Sequence, residues 1–309
     1  MSAILSIALP VFAVIAAGMV GGRLGILPKT DVAALNRFVF NFAMPAALFG
    51  LTSKADPLTI SQLTFAAGYA IVAIIVIFST YFFAKRFFQL NQQEAGAHAL
   101  TSILGNAVFL GLPIALKIPG WAENFVVLML VEGIFIIAIG AALMSPRGKG
   151  GPLSYLSRPF RNPLVAAMLA GLAFSMISHP FDFDLPGPVR SFFDILGTAA
   201  GPTALFSLGL FLATNPPPQI SAVGGKVATI VIVKMIILPV LTLGMLYFMS
   251  ITDPTLIGPA ALFTLVPTGV TVFVFANQYG YYATESAAAI AVTTAISVLT
   301  ISGVLAILA

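Results

Sequence analysis

The chain has no cysteine, one tryptophan and two histidines among its 309 residues. Disulfides, thiolate chemistry and cysteine-based metal sites are excluded together, and two isolated histidines cannot build a metal cage. Charge is scarcer still against expectation: 14 Lys+Arg and 10 Asp+Glu make 8% of the chain, where a soluble domain carries about 25%. So few ionic groups cannot make a water-soluble surface, which excludes a soluble enzyme, a nucleic-acid-binding protein and a disordered chain. In their place stands hydrocarbon: 59% of residues are hydrophobic and the mean hydropathy is +1.06. A lipid bilayer is the solvent that accepts this much exposed apolar surface.

Apolar stretches long enough to cross a bilayer as helices begin near Ala3, Ala33, Gln62, Ala95, Trp121, Asn162, Val189, Gly225, Leu256 and Thr284. The fold class expected is therefore all-α integral membrane, with ten transmembrane helices. The first stretch lacks a preceding basic residue and a small-residue cleavage pattern, so it reads as a retained helix and not as a signal peptide. Arg23, Lys29, Arg37, Lys85, Arg86, Arg147, Lys149, Arg158, Arg161 and Lys226 fall on one face, against Lys54, Lys117 and Arg190 on the other. By the positive-inside rule the first set is cytoplasmic, and an even number of spans then leaves both termini extracytoplasmic, in a multi-pass protein of the plasma or inner membrane. The net charge of +4 is read as this topology signal and not as the mark of an anionic macromolecule. One loop, Ser145 to Pro159, is polar enough to be a boundary; it divides the chain into 1–144, a cytoplasmic linker at 145–160, and 161–309. No glycine-rich nucleotide loop is present, hence no sign of an ATP-driven pump or of another cofactor.

The two halves resemble each other. The first span reads Pro10-Val-Phe-Ala-Val-Ile-Ala-Ala-Gly18 and the sixth Pro163-Leu-Val-Ala-Ala-Met-Leu-Ala-Gly171; the second carries Pro45-Ala-Ala-Leu-Phe49 and the seventh Pro202-Thr-Ala-Leu-Phe206. Five spans per half is an odd number, so the second half enters the membrane in the opposite sense. Two inverted repeats of this kind are the architecture by which secondary transporters expose one site to either side in turn.

In the fourth span, Gly105, Asn106, Gly111 and Pro113 fall within nine residues, and in the ninth stands Val266-Pro267-Thr268-Gly269. Proline removes a backbone donor, glycine removes side-chain support, and an amide in lipid is penalised, so both helices are expected to break at mid-membrane depth. Aligning Gly96 with Gly258 sets Gly105 opposite Pro267 and Asn106 opposite Thr268. Irregular backbone at this depth survives only against a cavity or under protein, which predicts that the two breaks cross. Half-helix N-termini meeting there offer N–H groups and partial positive charge to an anion. A carboxylate is the expected ligand, held by Asn106 and Thr268, with Gly105 and Gly269 close by and Gly111, Pro113 and Pro267 keeping the helices open.

Glu132 in the fifth span and Lys234 in the eighth are intramembrane charges. Each is a functional hypothesis by default; they read either as a buried ion pair or as coupling groups, with Glu132 as a possible proton carrier. His98 reads as an interfacial or satisfied core residue. Asn41 precedes Pro45 by one helical turn and is expected either to line the same cavity or to cap the carbonyls that proline frees. The pairs Phe82-Phe83, Phe87-Phe88 and Tyr281-Tyr282 are expected in lipid-facing or interfacial belts.

These stretches together resemble the auxin efflux carrier family, which includes plant PIN carriers and bacterial carriers of malate or malonate type. The resemblance is carried by Leu35-Asn-Arg-Phe-Val-Phe-Asn-Phe-Ala-Met-Pro45, Gly105-Asn-Ala-Val-Phe-Leu-Gly-Leu-Pro113, Ala204-Leu-Phe-Ser-Leu-Gly-Leu-Phe211 and Pro267-Thr-Gly-Val-Thr-Val-Phe-Val-Phe-Ala276. It implies a scaffold of spans 1, 2, 6 and 7 that forms a homodimer, a moving transport domain of spans 3–5 and 8–10, and an elevator-type alternation. It also implies that Asn106 binds a substrate carboxylate, with Pro267 and Thr268 at the second crossover. Gly105 stands where plant members carry proline, and Glu132 where they carry glutamine, which favours a compact bacterial-type member. The function expected is secondary active or potential-driven transport of a small mono- or dicarboxylate or auxin-like acid, with no enzymatic activity. A sodium-coupled symporter resembling the bile-acid carriers and a membrane ligand sensor are the alternatives.

Overall fold

The computed structural model describes residues 2–54, 58–115, 117–145, 162–181, 183–215 and 220–308. The expected linker at 145–160 lies, after Ser145, outside the described residues. Apart from one isolated bridge, the regular structure among the described residues is all helical. Twelve helical elements follow one another: α1 (Ser2–Arg23), α2 (Asp31–Thr52), α3 (Ile60–Phe87), α4 (Gln92–Thr101), α5 (107–115), α6 (Ala122–Met144), α7 (Pro163–Phe181), α8 (Gly187–Thr214), α9 (220–248), α10 (Pro254–Leu265), α11 (Val270–Tyr279) and α12 (Ala283–Leu308). Seven helices among the described residues are long and apolar enough to cross a membrane: α2, α3, α6, α7, α8, α9 and α12. Their outer faces remain uncovered, with Phe82, Met176, Phe181, Ile195, Val240 and Phe248 all strongly exposed. Lipid supplies the missing contacts. The protein is an all-α membrane protein.

Local chemistry sets the helix ends. Thr59 and Gln62 form a capping box at the start of α3, and Asn91 and Glu94 form one at the start of α4. These satisfy backbone N–H groups that no carbonyl of the helix can reach. Asp253 accepts from the amide and hydroxyl of Thr255 just ahead of α10, and both bonds hold its carboxyl below the usual carboxylate range. Gly280 ends α11 with a left-handed φ of 78°, which glycine adopts without a Cβ clash.

Four π turns interrupt the helices among the described residues: Val39–Ala43, Ala107–Gly111, Glu132–Ile136 and Val233–Ile237. Three of them are followed, at the second position, by Pro45, Pro113 or Pro239. A proline ring collides with the carbonyl four residues back, and a locally wider turn relieves that collision.

Helices α1, α2, α7 and α8 meet where glycine lets backbones touch. A Cβ on Gly18 of α1 would stand 2.1 Å from the Phe206 carbonyl oxygen and 3.0 Å from the Leu210 nitrogen of α8. A Cβ on Gly171 of α7 would stand 2.7 Å from the Phe49 carbonyl oxygen and 3.0 Å from the Ser53 nitrogen of α2. Gly18 and Gly171 are the matched glycines of the two sequence halves, and Phe49 and Phe206 end the matched Pro-Ala/Thr-Ala-Leu-Phe stretches. The same backbone contact is therefore built twice. Gly209 against Ile15 and Gly197 against Ala47 close the remaining approaches. Close packing through small residues is how helices adhere in a solvent that gives them no hydrophobic drive.

Candidate functional site

The two expected breaks lie side by side. Helix α4 stops at Thr101 and α10 at Leu265, and the segments that follow pair antiparallel, Gly105 opposite Thr268. The Asn106 N–H donates to the Pro267 carbonyl at 2.7 Å, and the Gly269 N–H donates to the Leu104 carbonyl at 2.9 Å. Each break thus satisfies the other's backbone groups at a depth where water does not. A Cβ at Gly269 would lie 2.6 Å from the Gly105 carbonyl oxygen, so the approach requires glycine.

This register differs by one residue from the one expected from sequence. The reciprocal bonds make Asn106 the counterpart of Gly269 and Gly105 the counterpart of Thr268. The reason is proline's missing donor. The Gly105 N–H donates to Glu132 Oε1 at 3.2 Å and the Thr268 N–H to Thr293 Oγ1 at 3.1 Å. Pro267 has no N–H with which to make that second bond.

The structure brings most of the expected residues to this crossing, in different surroundings. Thr268 is fully buried and its hydroxyl donates to the Thr101 carbonyl at 3.2 Å, which fastens it to the end of α4. Asn106 is nearly buried, and among the described residues its side-chain amide forms no hydrogen bond. Gly111 and Pro113 lie beyond the break, inside α5, and a Cβ on Gly111 would meet the Phe125 ring at 2.3 Å. Gly111 is therefore a packing glycine as well as part of a π turn. Asn41 is exposed and its amide donates back to the Arg37 carbonyl at 2.9 Å. The π turn at Val39–Ala43 rotates it relative to Met44, Ala47, Leu48 and Leu51 of the same helix, and the structure does not bring it to the crossing.

Glu132 and Lys234 both reach Gly105, the first at its N–H at 3.2 Å. Glu132 Oε1 also accepts from the Tyr69 hydroxyl, at 3.4 Å. A Cβ on Gly105 would stand 3.1 Å from Lys234 Nζ, and that ammonium, fully buried, has no hydrogen-bond partner among the described residues. The two charges act on each other through space without direct ion-pair contact among the described residues. Glycine at this position leaves the room that the ammonium occupies. Of the two expectations for these residues, a buried ion pair or coupling groups, direct contact is not seen among the described residues, and both charges lie beside one backbone unit.

A cleft of about 60 Å³ opens between the crossing and α2, lined among others by Gly105, Val108, Glu132, Leu48 and Thr271. Thr271 was not singled out from sequence; its spacing from Thr268 marks the first turn of α11 and was the available signal. A wider vestibule of about 590 Å³ shares Ala47, Leu48, Leu51 and Val108 with the cleft and extends to the exposed Lys54–Asp194 pair, 3.7 Å apart. His98 is buried, with Nδ1 2.7 Å from the Tyr282 hydroxyl. Tyr282 is accordingly a core residue and not part of an interfacial belt, whereas Phe82 and Phe87 are exposed as expected. Among the described residues no three His, Asp or Glu side chains are grouped to hold a metal ion.

A sequence model described as "Membrane transport protein" matches residues 3–154 and 152–305. The chain belongs to this family, that of the auxin efflux carriers. Among its relatives is a candidate malonate transporter of Rhizobium meliloti (strain 1021), 29% identical over 99% of this chain and 96% of the relative. An uncharacterised transporter of Escherichia coli (strain K12), YfdV, is 24% identical over 92% of this chain and 91% of its own length. Auxin efflux carrier component 8 of Arabidopsis thaliana is 23% identical over 90% of each chain. This membership makes the chain a membrane transporter.

Proposed function

We propose that this transporter carries a small organic anion, a mono- or dicarboxylate or an auxin-like acid, by elevator-type alternating access. The observation that carries the reading is the reciprocal pairing of the two helix breaks through Asn106, Pro267, Gly269 and Leu104. Four helix ends converge there, α5 and α11 begin there, and the chain neighbours of Asn106, Gly105 and Ala107, line a cleft. Helix N-termini and an amide donor form a suitable seat for a carboxylate. The relative named for malonate supports the dicarboxylate class.

The chain crosses the membrane ten times in this reading, α4 with α5 and α10 with α11 each making one broken span. The doubled contact of Gly18 with Phe206 and Gly171 with Phe49 supports two inverted repeats. Helices α1, α2, α7 and α8 form the scaffold, and the remaining helices form the moving body. Apolar rings line the boundary between them, Phe40 against Phe275 and Phe211 against Phe273, with little polar bonding to break as one slides on the other. By the distribution of Lys and Arg the vestibule at Lys54 is extracytoplasmic, so the described conformation faces outward in a cell membrane. A homodimer through the scaffold follows from the family resemblance.

Uptake of labelled malonate, malate and indole-3-acetate into proteoliposomes tests the reading, with imposed potential, pH and sodium gradients in turn. Accumulation of one carboxylate by wild type, lost in a folded Asn106→Ala variant, is the expected result. Binding of an anion without its movement under any gradient would favour a sensor instead.

A further inference from the structure

The crossing is two-fold in its backbone but not in its charge. At the Thr268 N–H the acceptor is the neutral hydroxyl of Thr293, whereas at the Gly105 N–H it is the carboxyl of Glu132. Glu132 is also the single ionisable side chain lining the cleft beside the crossing. The titratable groups facing it are Tyr69 from α3 and Lys234 from α9. Within α7, which packs on the same π turn through Met168 against Gly133, no titratable group faces it among the described residues.

A charge balance follows. With Glu132 ionised and Lys234 protonated, the empty site is neutral. A carboxylate entering the cleft beside Gly105 adds negative charge next to the Glu132 carboxylate that lines it, in a buried place where uncompensated charge is costly. Lys234 is already offset and cannot neutralise both. One proton restores neutrality for a monocarboxylate and removes one of the two excess charges for a dicarboxylate, and Glu132 is the group placed to take it.

We infer that Glu132 is the proton-coupling residue of this carrier, binding one proton with each carboxylate seated at the crossing and releasing it when the anion leaves. The inference rests on the anion-carrier reading and adds the coupling ion to it. The proton comes from water in the vestibule, adds to the carboxylate oxygen of Glu132, and returns to water on the opposite side after the anion has gone. No bond of the substrate is made or broken. The loaded and empty forms of the moving body then differ in charge by the substrate's charge less one. Replacing Glu132 by a neutral amide of the same shape removes the proton and leaves Lys234 in place.

The test uses the full chain in two settings. In detergent, malonate binding is followed calorimetrically in buffers of different ionisation enthalpy, at a pH above malonate's own titration. Wild type is expected to take up one proton per malonate bound and Glu132→Gln none. In proteoliposomes, a pH gradient should accumulate malonate in wild type, whereas Glu132→Gln should respond only to a membrane potential, at whatever rate it retains. Malonate binding by wild type without proton uptake, or with equal uptake in Glu132→Gln, would overturn the assignment while leaving the carrier reading intact. Should wild type neither bind nor move malonate, malate or indole-3-acetate, the carrier reading itself fails, and the coupling assignment with it.

Discussion

The glycine crossings of α1 with α8 and of α7 with α2, and the broken crossing of α4/α5 with α10/α11, each repeat a backbone contact and differ in what surrounds it. In the first, Gly18 on Phe206 and Gly171 on Phe49 repeat one another down to the individual backbone atoms. In the second, the hydrogen bonds between Asn106 and Pro267 and between Gly269 and Leu104 repeat in the same way, yet the side chains around them do not: the Gly105 N–H donates to the carboxyl of Glu132 and the Thr268 N–H to the hydroxyl of Thr293. A body that only has to hold together can stay symmetric. On the reading proposed above, one that must bind a particular charge keeps a symmetric frame, which permits two states, and breaks the symmetry in its side chains.

That contrast can be broken experimentally, beginning with the scaffold. Gly18→Leu places carbon within 2.1 Å of a backbone carbonyl where neither helix can withdraw, so destabilisation of about 3 kcal/mol or more is expected. It should appear as loss of folded protein in size-exclusion chromatography. At the crossing, Gly269→Ala puts a methyl 2.6 Å from the Gly105 oxygen and should separate the two breaks. Transport is expected to fall by more than tenfold, about 1.4 kcal/mol, with the rest of the fold retained by circular dichroism. Thr293→Val leaves the buried Thr268 N–H without an acceptor, at a cost of about 1–3 kcal/mol, read as a lower melting temperature in detergent. The smallest effect belongs to Asp253→Ala, which removes an exposed cap. Because the Asp253 carboxyl is held below its ordinary range, its contribution is present above the ordinary carboxylate range and lost as pH falls through the lowered value; the variant's melting temperature should converge on wild type in acid.

Much of this was legible in the sequence. The break at Gly105-Asn106, the break at Pro267-Thr268 and their meeting follow from glycine, proline and amides at membrane depth, because local backbone chemistry decides them. The register at the crossing did not follow, since it depends on which N–H finds Glu132 and which finds Thr293, and both partners are distant in sequence. Of the two places expected for Asn41, its amide takes the one on a backbone carbonyl, that of Arg37, and the π turn around it alters the spacing that a regular helix would give. The position of Lys234 beside Gly105 was equally hidden: a charge in an apolar span announces that it has a role, but its neighbours come from packing.

The most direct test of the central claim, that the crossing seats the transported anion, uses the absence of native cysteine. Val108→Cys places one thiol in the cleft lining, and its labelling by a membrane-impermeant thiol reagent is measured with and without saturating malonate. Malonate is expected to slow labelling, and adding Asn106→Ala to abolish the protection. Labelling unaffected by malonate, in a variant that still transports it, would place the anion elsewhere and contradict the account.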